Sequence, residues 1–267
     1  MLTESRMQPD GDRYLALLNM TTTVQHLLAH PELIEGAHDS IAGAHRTEAL
    51  RKTGGEAARL RVETAPDLFV VTHGASRIAA LVGLMDDLPT RGSASVRVEN
   101  GDRRGEWIVH VVTHDREALL ARITDALRGQ DLNIVAADLA TWPDGVVLDS
   151  FTVQSAARPN ETVLQSLVSR HVSRLSLGWM RRVGGTGLTV GFDNNLHPEN
   201  TIVTVTGPDR AGLLWRVATS FNRSKVRVHH ARIETLDGEV NDRFEVTDVR
   251  GSKLDGATQS RIIRLLR

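Results

Sequence analysis

The chain contains no cysteine, which excludes disulfides, thiol nucleophiles and cysteine-ligated zinc or iron–sulfur centres. Aromatic residues are scarce, at 4%, leaving few platforms on which single-stranded bases could stack. No excess of either charge is present: the formal net charge is -1, so nothing global attracts nucleic acid or an anionic membrane. No apolar run approaches the roughly 20 residues of a membrane span, and the polar start MLTESRMQPDGDRY lacks the apolar core of a signal peptide. What remains is an ordinary globular balance over 267 residues, with 40% hydrophobic and 24% charged residues, enough for one large or two small domains and compatible with a reducing cytoplasm.

The first dozen residues read as disordered, and residues 1–65 as a helical N-terminal segment in which Leu17, Met20, Val24, Leu27 and Leu28 recur at helical spacing and Pro31 opens a second helix. Residues 66–100 read as a short strand (Leu68–Thr72), a helix capped by Ser76, and a linker around Pro89 and Gly92. The informative pattern follows in residues 101–175: an extended run Trp107–Thr113, the loop His114-Asp115-Arg116, and a helix with Leu119, Leu120, Ile123 and Leu127 on one face. Two strands, Asn133–Thr141 and Val146–Gln154, then join through Pro143-Asp144-Gly145, and a helix from Glu161 to Val172 completes the unit.

After a linker at 176–200, the order repeats over 201–267. Asp115 and Arg116 match Asp209 and Arg210; Leu119 and Leu120 match Leu213 and Leu214; Ala137 and Thr141 match Ala231 and Thr235. One residue is lost at the turn, after which Gly145, Asp149, Phe151 and Val153 match Gly238, Asp242, Phe244 and Val246. Agreement in loop chemistry and apolar spacing together marks an internal duplication. Gly184-Gly185-Thr186-Gly187 lacks both the lysine of a phosphate-binding loop and the dinucleotide spacing, so it reads as linker and calls for no cofactor.

In each repeat a strand runs through a tight loop into a helix N-terminus, where free backbone N–H groups and the helix dipole suit a carboxylate. Gly212 lets the backbone approach a ligand, and Asp209 can meet an amino group; equally, both can merely shape the loop and cap the helix. The stretches Val205–Leu214 and Val228–Asp248 resemble the first strand and loop, and the following two strands, of an ACT domain. The second is similar to the form at the C-terminal end of the bifunctional PII uridylyltransferase/uridylyl-removing enzymes, and Asn133–Gln154 resembles their first ACT module.

The resemblance implies an α+β chain of two ferredoxin-like βαββαβ modules with antiparallel sheets. The modules would pair within or between chains, and a small amino acid, glutamine in that family, would sit at the interface. It also implies PII signal protein, or the catalytic domains that this length cannot hold, as partners. Carried onto this sequence, the ligand site falls on Asp209, Arg210, Ala211, Gly212 and Leu213, closed by Val228, His229 and His230. A weaker site falls on Asp115, Arg116, Leu119 and Asn133, because Glu117-Ala118 replaces Ala211-Gly212 and would crowd or repel a carboxylate. On this reading Gly212→Val abolishes ligand binding and spares the fold.

Catalytic constellations are not found. Gly92-Ser93 lacks the following acidic pair of a nucleotidyltransferase. His38-Asp39, near His26, His30 and His45, lacks the spaced aspartates of a metal-dependent hydrolase and reads as surface histidines. His229 and His230, as strand neighbours, face opposite ways and cannot easily share a metal; His73 has no partner that the sequence places. No metal, nucleic-acid or membrane partner is expected.

Overall fold

The computed structural model describes residues 31–173, 187–210, 212–236 and 238–267. The helical run read at Tyr14–His30, and Gly184 to Thr186, lie outside them. Four helices come first: α1 (Pro31–Lys52), α2 (Glu56–Glu63), α3 (Asp67–Thr72) and α4 (Ala75–Gly83). The first module follows, with β1 (Ser95–Asn100), β2 (Glu106–His114), α5 (Leu119–Arg128), β3 (Asn133–Thr141), β4 (Val146–Gln154) and α6 (Glu161–Ser173). The second repeats it with β5 (Thr189–Asp193), β6 (Thr201–Pro208), α7 (Leu213–Arg223), β7 (Val226–Leu236), β8 (Glu239–Asp248) and α8 (Gly256–Leu266).

Each module is therefore α+β with an antiparallel sheet, but its elements run ββαββα. The edge strand beside β2 comes from residues that precede the loop–helix motif, not from residues that follow the last helix. β1 pairs antiparallel with β2, and β5 with β6. Both lie partly or wholly in stretches read from the sequence as linker. β1 carries the period-2 signal, with Val96 and Val98 buried and Arg97 exposed, whereas β5 is only five residues long and no residue of it is buried.

The two sheets fuse into one of eight strands, in the order β1-β2-β4-β3-β7-β8-β6-β5. The joint is antiparallel β3–β7, with Ala137 opposite Ile233, Asp138 opposite Arg232 and Leu139 opposite Ala231. Because Ala137 corresponds to Ala231, and Leu139 to Ile233, the repeats are related by a pseudo-twofold axis through the Asp138–Arg232 pair. Module pairing is thus achieved within one chain.

One face of the sheet carries α5–α8, over a core that includes Val109, Phe151, Leu164, Phe221, Phe244 and Ile262. Period 2 turns alternate residues to the back of the first module, where Val112, Ala140, Trp142, Val146 and Leu148 pack on the N-terminal helices. Trp142 Nε1 donates to the carbonyl of Arg61 (2.9 Å), and its ring meets Phe69 edge-on at 5.3 Å. Two local readings are corrected here. Residues 68–72 are helical, because one turn seats Phe69 and Val70 together in this core, and tertiary packing outweighs the β preference of Val-Val. Ser76 is not a helix cap; α4 begins at Ala75 after Gly74, without a side-chain cap.

His73 does have a partner. Its Nε2 lies 3.1 Å from Asp138 Oδ2, while His230 Nε2 lies 3.1 Å from Asp138 Oδ1. Asp138 thereby ties the helical layer to both modules at the sheet joint. No helix among the described residues is long and apolar enough to cross a membrane.

Candidate functional site

The duplicated loops are built alike. The hairpin turn after β3 places Gly145 in the left-handed region (φ 80°), and its carbonyl accepts the N–H of Asp115 at 2.7 Å. Gly238 (φ 79°) does the same for Asp209 at 2.8 Å. The residue before each helix is also left-handed: Ala118 (φ 62°) before α5 and Gly212 (φ 78°) before α7. Neither helix start has a side-chain cap hydrogen bond; the first N–H of each turns back into its loop, Leu119 to the Arg116 carbonyl and Leu213 to the Arg210 carbonyl, and the next two N–H groups of each helix face what lies beyond the loop.

The pseudo-twofold turns each loop toward the start of the other module's β3-equivalent strand. The Asp115–Ala121 loop and helix start face Val226–His229 across a cavity of about 360 Å³. The Asp209–Trp215 stretch faces Leu132–Ile134 across only about 30 Å³. The predicted site residues are thus divided. Asp209, Arg210, Gly212 and Leu213 line the small cavity with Asn133; Asp115, Arg116 and Leu119 line the large one with Val228 and His229. His230 lines neither, since it turns to Asp138, and Ala211 lies outside the described residues.

Two substitutions between the repeats account for the difference in room. Where the second loop's helix has Trp215, the first has Ala121; where α5 ends in Arg128, the matching position of α7 is Asn222. Arg128 lies 5.1 Å over the Trp215 ring, and the pair fills the second cavity; Ala121 and Asn222 leave the first one open. Glu117 does not obstruct it either. That side chain is exposed and pairs with Lys225 at 3.1 Å.

The requirement for glycine at 212 is explained by this plug. A Cβ there would lie 3.2 Å from Arg128 Cδ, on backbone that L residues rarely adopt. Gly212→Val is accordingly expected to lower stability by about 1–3 kcal/mol through left-handed strain and to leave the large cavity intact. A thermal melt and ligand titration on the same variant check both halves.

Polar groups in the large cavity are mostly committed. The Arg116 guanidinium donates to the Val172 carbonyl, and His229 Nε2 meets Thr247 Oγ1 at 2.7 Å. Asp115 is exposed at the mouth of the cavity, yet the protein packed around its carboxyl pushes it above the usual range, partly offset by a hydrogen bond from the Arg116 backbone. Asp149, from β4, forms the floor beside Val147 and is 3% exposed. Burial, with the nearby charges of Asp115 and Asp138, pushes its carboxyl well above the usual range. Sequence reasoning matched Asp149 with Asp242 but gave neither a role; the signal was a carboxylate in a strand position flanked by buried Val147 and Phe151. Among the described residues no group of three or more His, Asp or Glu side chains gathers as a metal site.

No protein-family model matches the chain. It is 24% identical over 265 residues to the bifunctional uridylyltransferase/uridylyl-removing enzyme of Erythrobacter litoralis, a match covering 87% of this chain and 29% of that enzyme. The enzyme of the same description from Rhodospirillum rubrum is 30% identical over 182 residues, covering 61% of this chain and 19% of its own length. The chain thus spans less than a third of the length of these curated relatives. Among solved structures, an aspartate kinase from Synechocystis overlaps 62% of this chain and 26% of its own at 12% identity, with a TM-score of 0.36.

Proposed function

Because this chain is a homologue of part of the bifunctional uridylyltransferase/uridylyl-removing enzymes, we propose that it is a cytoplasmic regulatory protein. Its paired modules bind a free amino acid, glutamine by family resemblance, and report nitrogen supply to PII signal protein or to catalytic domains on a longer or separate chain. The observation that carries this reading is the cavity of about 360 Å³ between the modules. It falls within the range of about 300–1,000 Å³ common for small-ligand sites. It is lined by an uncapped helix start suited to a carboxylate and by two aspartates, the buried Asp149 and the exposed Asp115, suited to an ammonium group.

The ligand would enter with its carboxylate toward the first turn of α5 and its amino group toward Asp115. Both modules supply walls, so occupancy favours the joined arrangement over a separated one, to the extent that affinity differs between them. The filled second cavity makes the expected stoichiometry one ligand per chain. A second reading, a pure interaction module, draws on that same Arg128–Trp215 plug, which leaves only about 30 Å³ at one of the two equivalent loops.

Isothermal titration with L-glutamine, against L-glutamate and L-serine, separates the two. Saturable, glutamine-selective heat with one site per chain is expected. Absence of heat with every amino acid, from folded protein, would favour the interaction module.

A further inference from the structure

The floor of the large cavity contains a group that the fold itself does not use. Asp149 sits in an unbroken ladder: Leu139 pairs with it on one side and Val111 on the other, with regular pairs above and below. Every backbone N–H nearby is thus committed to the sheet, and no hydrogen bond to the Asp149 carboxyl is made among the described residues. The matching residue of the second module is treated differently. There the β7–β8 ladder is interrupted at Ile233 and Glu234, and the Glu234 N–H donates to Asp242 Oδ1 at 3.3 Å. The carboxyl in the plugged cavity is held by the protein, whereas the one in the open cavity, though 3% exposed, has no hydrogen-bond partner among the described residues.

An unpaired carboxyl in a wall this deep costs folding free energy, because burial strips it of water without returning a partner. In an apolar neighbourhood the partner of best value is a cation with several N–H donors. The neighbouring side chains that carry positive charge do not supply it. Arg116 turns to the Val172 carbonyl, Lys225 pairs with Glu117 at the rim, and Arg227 is exposed. The same cavity presents the uncapped start of α5, which favours an anionic group at the other end of a ligand.

We propose that Asp149 is the ammonium receptor of the inter-module cavity, with Asp115 as a second, more exposed acceptor, so that the site takes zwitterionic α-amino acids and rejects their deaminated analogues. This rests on the reading of the cavity as a ligand site. The recognised unit is the ammonium–carboxylate pair, with the side chain of the ligand directed to the remaining apolar wall of Leu139, Ala218 and Phe221.

The test is titration of the full chain with each of the common L-amino acids, then with 4-carbamoylbutanoate, which is glutamine without its amino group. Asp149→Asn keeps the shape and removes the charge, so the unliganded variant is expected to melt no lower than the wild type. The tightest-binding amino acid is expected to lose at least thirtyfold in affinity in Asp149→Asn. Wild type should bind 4-carbamoylbutanoate at least thirtyfold more weakly than glutamine, and in the variant that preference should shrink to the few-fold that Asp115 alone sustains. The Asp149 carboxyl ¹³C resonance should shift with the amino acid and not with the analogue. If wild type binds an amino acid but Asp149→Asn binds it equally well, the Asp149 assignment falls and the cavity reading stands. If no amino acid binds folded wild type, both fall.

Discussion

Wild-type stability to urea is expected to decline between about pH 4 and pH 7 relative to Asp242→Asn, which should be the more stable protein at pH 8. Asp242 is 1% exposed in the wall of the plugged cavity, and burial pushes its carboxyl from 3.8 up to about 7, with the charges of Asp209 and Glu234 adding to the effect and the Glu234 N–H opposing it. Below about pH 4 the folded and unfolded states both hold this proton, and the carboxyl is neutral toward folding. Between that point and about 7 the folded state holds it while the unfolded chain has released it, so each step upward in pH favours unfolding. Above about 7 the folded state must bury a charge, a penalty on the order of 4 kcal/mol at full extent.

Other groups act in other senses. Asp144, Asp193 and Asp255 are held below the usual range and stabilise the fold above their unfolded values, losing that contribution as pH falls below about 4. His110 and His229 are lowered by burial and add stability as pH rises through their ordinary range. Comparison of wild type with Asp242→Asn at each pH cancels these and isolates the one carboxyl. Asparagine retains an Oδ1 acceptor for the Glu234 N–H, so the local bond survives. A gain of roughly 1–3 kcal/mol at pH 8, turning into a loss of roughly 1–3 kcal/mol by pH 4, is the expected result, because the amide's own unmet donors cost the variant the same at every pH. A constant difference across the range would mean that Asp242 does not change protonation on folding.

The duplication was legible because both copies keep features that their geometry demands. Asp115 and Asp209 each meet the carbonyl of a turn glycine, and Phe151 and Phe244 fill the same place in the core. The edge strands were harder, because neither lies inside the repeated motif and their pairing with β2 and β6 is visible only when the sheet is assembled. The helix at Asp67–Thr72 escaped because its six residues have strand-like composition and owe their form to the core around Trp142. Asp138, which joins His73 to His230, links positions far apart in sequence that no local pattern connects.

The site shows the same division between local and assembled information. Both loops were read from the sequence as ligand-facing, and a crowded Glu117-Ala118 was expected to make the first the poorer. Glu117 instead stays at the exposed rim of the cavity, paired with Lys225, and Ala118 adopts the same left-handed conformation as Gly212. The room is set by Ala121 against Trp215 and Asn222 against Arg128. These differences stand in the sequence, but their meaning depends on α5 and α7 lying side by side across the joint.

That dependence on the joint leads to the largest effect we expect from one substitution, Ala231→Pro. Ala231 is fully buried at the centre of β7, paired with Leu139 of β3 on one side and Phe244 of β8 on the other. Proline removes its N–H, and with a strand on either side no edge is available to absorb the loss. Removal of the bond and the fit of the ring together are expected to cost about 3 kcal/mol or more. The loss falls on the strand pair that holds the modules together, next to the Asp138–Arg232 pair on the pseudo-twofold axis. Since Asp115–Ala121 and Val226–His229 come from different modules, parting β3 from β7 takes the cavity apart even where each module keeps its own core. Urea denaturation of Ala231→Pro should show an earlier transition, and amino-acid affinity should fall at least a hundredfold. Val190→Pro, in edge strand β5, which pairs only with β6, serves as the control. It should lose less stability and keep its affinity, because no wall of the cavity comes from that strand. Should Ala231→Pro weaken the fold yet bind its amino acid as tightly as the wild type does, the ligand would have to sit within a single module, away from the joint.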